Sequence, residues 1–205
     1  MPDFLDLLHS IPTVSRILLL TSSALSLLTF FEVISPYSLY LSWPGVIERH
    51  EVWRLFTPLL FIGKLSLQTV FSILQNSTYV SSLEGEVYVG RGKVFIFFLL
   101  YDWLACILAT FLYPMYYLST PFFGAITYLW GRKSPEKLVS LFGIVLIQAC
   151  YLPFIYFGFA LIQKQNVIPI LIGICIGHIF YFLEDILPRA TGKRPIDKVV
   201  HVLFR

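Results

Sequence analysis

Long apolar runs, broken at intervals by short polar stretches, set the character of this chain. They cover residues 14–34, 57–82, 94–112, 115–130, 138–162 and 167–187. A helix needs roughly 20 apolar residues to cross a bilayer core of about 30 Å, and five of the six runs reach or approach that length. The fourth rises only about 24 Å at helical pitch. The pattern therefore predicts an all-α membrane protein of six transmembrane helices, folded as one domain over residues 1–205, with residues 188–205 as a short basic tail.

Within the runs, the polar positions are more informative than the apolar ones. In the last run Gly173 and Gly177 stand four apart and His178 follows at once. Two glycines at that spacing strip one helix face of side chains, so a neighbouring helix can approach to backbone contact. An imidazole beside that face is expected to turn toward a partner or a wet cavity. In the second run Lys64, Gln68, Ser72, Gln75, Tyr79 and Ser82 recur at helical steps of three and four, which makes one continuous stripe. Such a stripe faces a groove or water, or it belongs to a packed helix with satisfied side chains, and both readings fit. Asp102 falls near the middle of the third run. No second mid-membrane acid accompanies it, so a protonated carboxyl bonded to another helix is favoured over a proton relay. Before the first run, residues 2–11 alternate apolar and polar positions with a helical period suited to the membrane surface. Residues 35–56 mix aromatic, proline and charged residues and read as an interfacial connection that leads into Trp53-Arg54.

Composition agrees with a membrane setting: 57% of the 205 residues are hydrophobic and 13% are charged, against roughly 25% charged in soluble domains. The formal net charge of +3 is too small for a nucleic-acid-binding face. Its distribution matters more. With the N-terminus in the cytosol, 11 of the 15 Lys and Arg fall on the cytosolic side and 4 on the other, which places both termini in the cytosol. Cys106, Cys150 and Cys175 lie inside apolar runs and outline no metal site or disulfide framework. Asp3 and Asp6, with no basic residue before Arg16, argue against a cleaved signal peptide.

Catalytic constellations are hard to find. An intramembrane serine protease needs a nucleophile near a histidine base and donors for the oxyanion. His178 suits the base, but Ser119-Thr120-Pro121-Phe122-Phe123-Gly124 puts phenylalanines where a nucleophile turn needs small residues. An interhelical hydrogen bond is the stronger reading of His178. A small-molecule transporter is weakly supported by a single buried acid and no repeat. No cofactor and no metal is expected.

Several stretches together resemble the derlin family, rhomboid-like proteins that have lost the protease nucleophile. They are Ile11-Pro12-Thr-Val-Ser-Arg16, Ile34-Ser-Pro36, Val52-Trp53-Arg54-Leu-Phe-Thr57, Ala149-Cys-Tyr-Leu-Pro153, Gly177-His178-Ile-Phe-Tyr-Phe-Leu-Glu184-Asp185 and Thr191-Gly-Lys-Arg-Pro195. The Trp-Arg pair and Gly173 with Gly177 are the family's two motifs. The resemblance implies a six-span rhomboid-like bundle in the endoplasmic-reticulum membrane, acting in the degradation of misfolded proteins. Its implied partners are misfolded polypeptides, a membrane ubiquitin ligase complex and a cytosolic hexameric ATPase. The tail carries no recruiting motif for that ATPase, which favours an adaptor; homo- or hetero-oligomers stay open. The expected working part is a lateral groove between spans two and five, lined by Lys64, Gln68, Ser72, Gln75 and Gln148, in a thinned bilayer. A pure scaffold for the ligase is the alternative. Arg54 is expected either to hold the interfacial loop through its carbonyls or to snorkel beside an aromatic belt.

Overall fold

The computed structural model describes residues 10–141 and 145–204. The amphipathic stretch expected over residues 2–11 lies outside them, apart from Ser10 and Ile11. Helix α1 spans Thr13–Phe30. Its buried face is a column of small hydroxyl residues, Ser15, Ser22, Ser26 and Thr29, set against the helix α5, Leu67–Ser82. Small residues at such a seam let two helices approach where lipid supplies no hydrophobic drive. Two short helices, α2 (Pro36–Leu39) and α3 (Trp43–Glu48), follow, capped by the side chains of Ser35 and Ser42. A 3₁₀ turn, Val52–Leu55, and the four-residue α4, Thr57–Leu60, lead toward α5.

The second apolar run is thus not one helix. Residues 61–66 form an irregular link with a bend at Lys64 and Leu65, and α5 starts afresh where the Ser66 hydroxyl accepts the Thr69 amide at 3.1 Å. The serine offers the orphan amide a partner, so the helix begins there. Lys64, expected at the head of the polar stripe, sits in this link.

Helix α6, Gly92–Leu112, is straightforward: 21 apolar-rich residues rise about 31 Å. Helix α7, Ser119–Lys133, is the innermost element, buried almost without interruption from Pro121 to Gly131. Its 15 residues rise only about 22 Å. The fifth run departs most from expectation. Leu138–Leu141 (β1) and Val145–Gln148 (β2) pair as an antiparallel hairpin, with Val139 opposite Ile147 and Leu138 opposite Gln148. The fold is mostly rather than wholly helical. Val139 and Ile147 are partly buried against the core while Leu138, Ser140, Leu146 and Gln148 are exposed. That is a period of two, and β-branched side chains suit it. A helix, α8, forms only over Leu152–Ile162, with Pro153 in its first turn.

Helix α9, Ile168–Tyr181, passes through a π-helical turn, Phe182–Ile186, into α10, Leu187–Thr191, so one axis runs from Ile168 to Thr191. Gly192, at φ 70°, ends it in the left-handed conformation that glycine adopts freely. The tail then folds into a further helix, α11, Pro195–Leu203. Among the described residues three helices are long and apolar enough to cross a membrane: Thr13–Phe30, Gly92–Leu112 and Ile168–Thr191.

Ion pairs gather at one end of the bundle. Glu184 in the π-helical turn, its side chain 2% exposed, accepts the Tyr88 hydroxyl at 2.5 Å and pairs with Lys133 at 3.1 Å and Arg91 at 3.4 Å. Lys133 also reaches Asp185 at 2.6 Å, and Arg91 reaches Asp197 of α11 at 3.0 Å. Burial first, and then the Glu184 charge, hold the Tyr88 hydroxyl far above its ordinary range, so it stays a donor. Nearby Glu84 caps α1 from a distance, accepting the Val14 amide at 3.0 Å and the Ser15 amide at 2.7 Å. The start of α1, the end of α5, the start of α6, the end of α7 and α11 therefore share one end. Glu184→Ala should lower stability by about 3 kcal/mol, because Lys133 and Tyr88 would stay behind without their buried partner. Thermal unfolding of the detergent-solubilised protein reads this directly.

Candidate functional site

Helices α7 and α9 touch at the backbone. A Cβ placed on Gly173 would stand 2.6 Å from the Pro121 carbonyl oxygen, and one on Gly177 would stand 2.8 Å from that of Ala125. Neither distance is open to any side chain, so both positions require glycine. One residue further on, His178 Nδ1 lies 2.7 Å from the Tyr128 hydroxyl of α7. The histidine thus ties the same two helices together. Ser119 stands nine residues before Tyr128 on α7, about 13 Å away along the axis, and is no partner for this imidazole.

At the opposite end of the bundle, Arg54 is buried and organises the connection that precedes it. Its Nη1 donates to the carbonyls of Tyr37 and Tyr40, each at 3.0 Å, while its Nε donates to Glu51. The guanidinium also lies 5.0 Å from the centre of the Tyr40 ring. A planar fork suits this array of acceptors, where a point charge does not. Trp53 is half-exposed, and its indole nitrogen donates to the Ser38 carbonyl at 3.3 Å. Asp102 is wholly buried in α6, but its contact is Cys106 Sγ at 3.5 Å, one turn along the same helix. The expected bond from Asp102 to another helix is absent among the described residues, where its Oδ2 finds no hydrogen-bond partner.

The polar stripe divides. Lys64 and Gln68 are exposed and Ser72 is partly covered. The Gln75 amide donates to the Tyr79 hydroxyl at 2.8 Å, and that hydroxyl lies 3.3 Å from Tyr156 of α8. Those side chains bridge α5 to α8 and close that level of the molecule. Gln148 is exposed on β2 and stands apart from them.

An open groove lies beyond the bridge, toward the end that carries the ion pairs. It has a volume of about 810 Å³ and runs between α5 and β1. Ser77, Ser81 and Ser82 supply hydroxyls along one wall, and Ser140 lies on the other. Tyr79 stacks on Trp130 at 4.4 Å within the lining. The Trp130 indole nitrogen finds no hydrogen-bond partner among the described residues. Glu86 and Lys137 pair across the groove, and Lys137 Nζ also donates to Ser82 at 3.1 Å. That lysine holds the Glu86 carboxyl below the usual carboxylate range. Of the stripe, only Tyr79 and Ser82 belong to this lining. Lys64, Gln68, Ser72, Gln75 and Gln148 do not. Sequence reasoning passed over Ser77, Ser81, Glu86, Lys137 and Ser140. The doubled pairs Ser77-Thr78 and Ser81-Ser82, one turn apart near the end of α5, were the available signal.

Known proteins share this pattern along nearly the whole chain. A model of the Der1-like family matches residues 11–198. Derlin-1 of Oryza sativa subsp. japonica is 30% identical over 188 residues, covering 90% of this chain and 77% of the relative. Derlin-2.2 of Zea mays is 30% identical over 200 residues, covering 92% and 80%. Derlin-1 of Mus musculus is 30% identical over 212 residues, covering 100% and 83%.

Two pairs of substitutions test the geometry. Gly173→Ala should destabilise the protein, whereas Gly158→Ala in α8, with nothing within 4 Å of the added Cβ, should stabilise it by about 0.5–1 kcal/mol. Thermal midpoints should move in opposite directions. Arg54→Lys should speed hydrogen exchange across residues 36–57 by about tenfold, the loss of roughly one to two net hydrogen bonds, while Arg132→Lys leaves that segment unchanged.

Proposed function

The chain belongs to the Der1-like family, and from that premise we propose that the groove between α5 and the β1–β2 hairpin accommodates the backbone of a misfolded polypeptide on its way out of the endoplasmic reticulum. As a derlin it is a multi-pass protein of the endoplasmic-reticulum membrane. It takes part in the degradation of misfolded proteins and is a non-catalytic relative of the rhomboid proteases. The finer reading is ours. It has six crossings in a rhomboid-like bundle forming one domain over 1–205. They are made by α1, α4 with α5, α6, α7, the hairpin with α8, and α9 with α10. Both termini face the cytosol, the side favoured by the excess of Lys and Arg.

One observation carries the mechanism: the polar groove lies beside the short helix α8, whose Tyr156 meets Tyr79 of the lining. Helix α8 rises about 16 Å, well under a bilayer core of about 30 Å, and its Phe154, Leu161 and Ile162 are exposed, whereas the short α7 is enclosed by protein. Lipid around short elements thins to match them. An extended chain in hydrocarbon loses several kcal/mol for each backbone amide left without a partner. A thinner bilayer removes some of those amides from the crossing, and the serine hydroxyls of α5 offer partners to others. Substrates reach the groove from the bilayer or the lumen. A membrane ubiquitin ligase receives them, and a cytosolic hexameric ATPase, joined through an adaptor, supplies the pull.

Ser77→Leu, Ser81→Leu and Ser82→Leu combined should lengthen the half-life of a misfolded lumenal substrate by several-fold, with the protein itself at normal abundance. A photocrosslinker at position 81 should capture that substrate during export. Unchanged turnover, with no crosslink at 81 but an intact ligase complex, would reduce the protein to a scaffold and overturn the groove reading.

A further inference from the structure

The tail helix α11 has a wider apolar face than the protein uses. On a helical projection Ile196, Val200 and Phe204 lie together and pack against the bundle near α6. Val199, Val202 and Leu203 continue the same apolar sector around the helix but stay exposed, at 43%, 76% and 62%. The polar remainder is narrow: Asp197, His201 and Lys198. Asp197 is occupied by Arg91 at 3.0 Å and Arg194 at 3.8 Å. Arg189 and Lys193, in the chain leading into α11, are exposed, as is Lys198, which adjoins Val202 on the helical projection.

From this arrangement we infer that α11 is an in-plane membrane helix that binds anionic phospholipid, with Val199, Val202 and Leu203 in the acyl boundary and Arg189, Lys193 and Lys198 at the headgroups. Its position settles the occupant. The apolar axis Ile168–Thr191 ends four residues before Pro195, so α11 emerges at the level where that axis leaves the bilayer. A helix with one apolar sector and flanking cations lies in such an interface, drawn both by its apolar area and by anionic headgroups. A soluble acidic partner would match the cations but leave the valines and leucine wet. Beneath the helix a cleft of about 420 Å³ is lined by Lys93, Asp197, Val200, His201 and Phe204. Lys93 Nζ donates to the Phe204 carbonyl at 2.9 Å and so pins the end of α11 to the start of α6. The helix is therefore held against the bundle before any lipid is engaged.

The test uses the full chain reconstituted in vesicles of phosphatidylcholine alone or mixed with phosphatidylserine, the same lipid in both leaflets. The result therefore depends on Ile168–Thr191 being a span and not on which compartment α11 faces. Val202→Cys, in a Cys150→Ser and Cys175→Ser background, carries an environment-sensitive fluorophore. In the mixed vesicles its emission should shift to the blue and be quenched by nitroxide on the lipid chains, while iodide in the water has little effect. Reversing Arg189, Lys193 or Lys198 to Glu should lower the ratio of docked to free helix by at least about fivefold per residue. Equal burial in both kinds of vesicle would overturn the anionic preference. Free access to iodide in both would overturn the membrane contact itself. A shielded probe that ignores lipid nitroxide and responds only to protein density would assign the face to a second copy and overturn the inference as well.

Discussion

The backbone contact between α7 and α9 is the constraint on which the other elements depend. In lipid, burying an apolar side chain against another helix gains little, because the alternative is also apolar. Close packing and directed polar contacts must then hold the bundle. Gly173 and Gly177 bring α9 down to the carbonyls of Pro121 and Ala125, and the Tyr128–His178 hydrogen bond locks the next turn. With α9 seated so closely, α7 becomes the buried centre against which α5, α6 and α8 are arranged. A short helix at the centre is possible because protein, not lipid, surrounds most of it.

Two carboxylates and one guanidinium then settle the ends. Glu184 collects a tyrosine hydroxyl and an arginine from the connection before α6 and a lysine from the end of α7, and Glu84 supplies acceptors that α1 cannot find in its own first turn. Arg54 does the converse at the other end, donating to carbonyls of a connection that is too irregular to satisfy itself. Helix termini and loops carry the unsatisfied backbone groups of any fold. Here they are met by charged side chains placed at the two ends of the bundle.

Hydropathy and spacing made the membrane character, the close-packing glycine face and the shortness of α7 legible, since each depends on local sequence. The hairpin was not legible. Val139 and Ile147 suit a half-buried strand as well as a helix when only apolarity is read, although Pro153 in the first turn of α8 marked a fresh helix start. Residues 57–82 misled for the opposite reason. A perfect polar period ran through Lys64, yet Ser66 offered a cap that restarted the helix beyond it. The groove itself escaped because Glu86 and Lys137, which face each other across it, are 51 positions apart in the chain. The tail was read by its charge, and the spacing of Ile196 and Val200 went unused.

The long-range cap on α1 bears on the order of synthesis. Val14 and its carboxylate partner Glu84 are separated by 70 residues, so the ribosome has made the whole of α1, the connection and α5 before the acceptor exists. Until then the leading turn of α1 must borrow water or headgroups for its amides. The cap that completes the first turn of α1 therefore arrives only with the segment that follows α5, which ties the entry of the first helix to the exit of a later one.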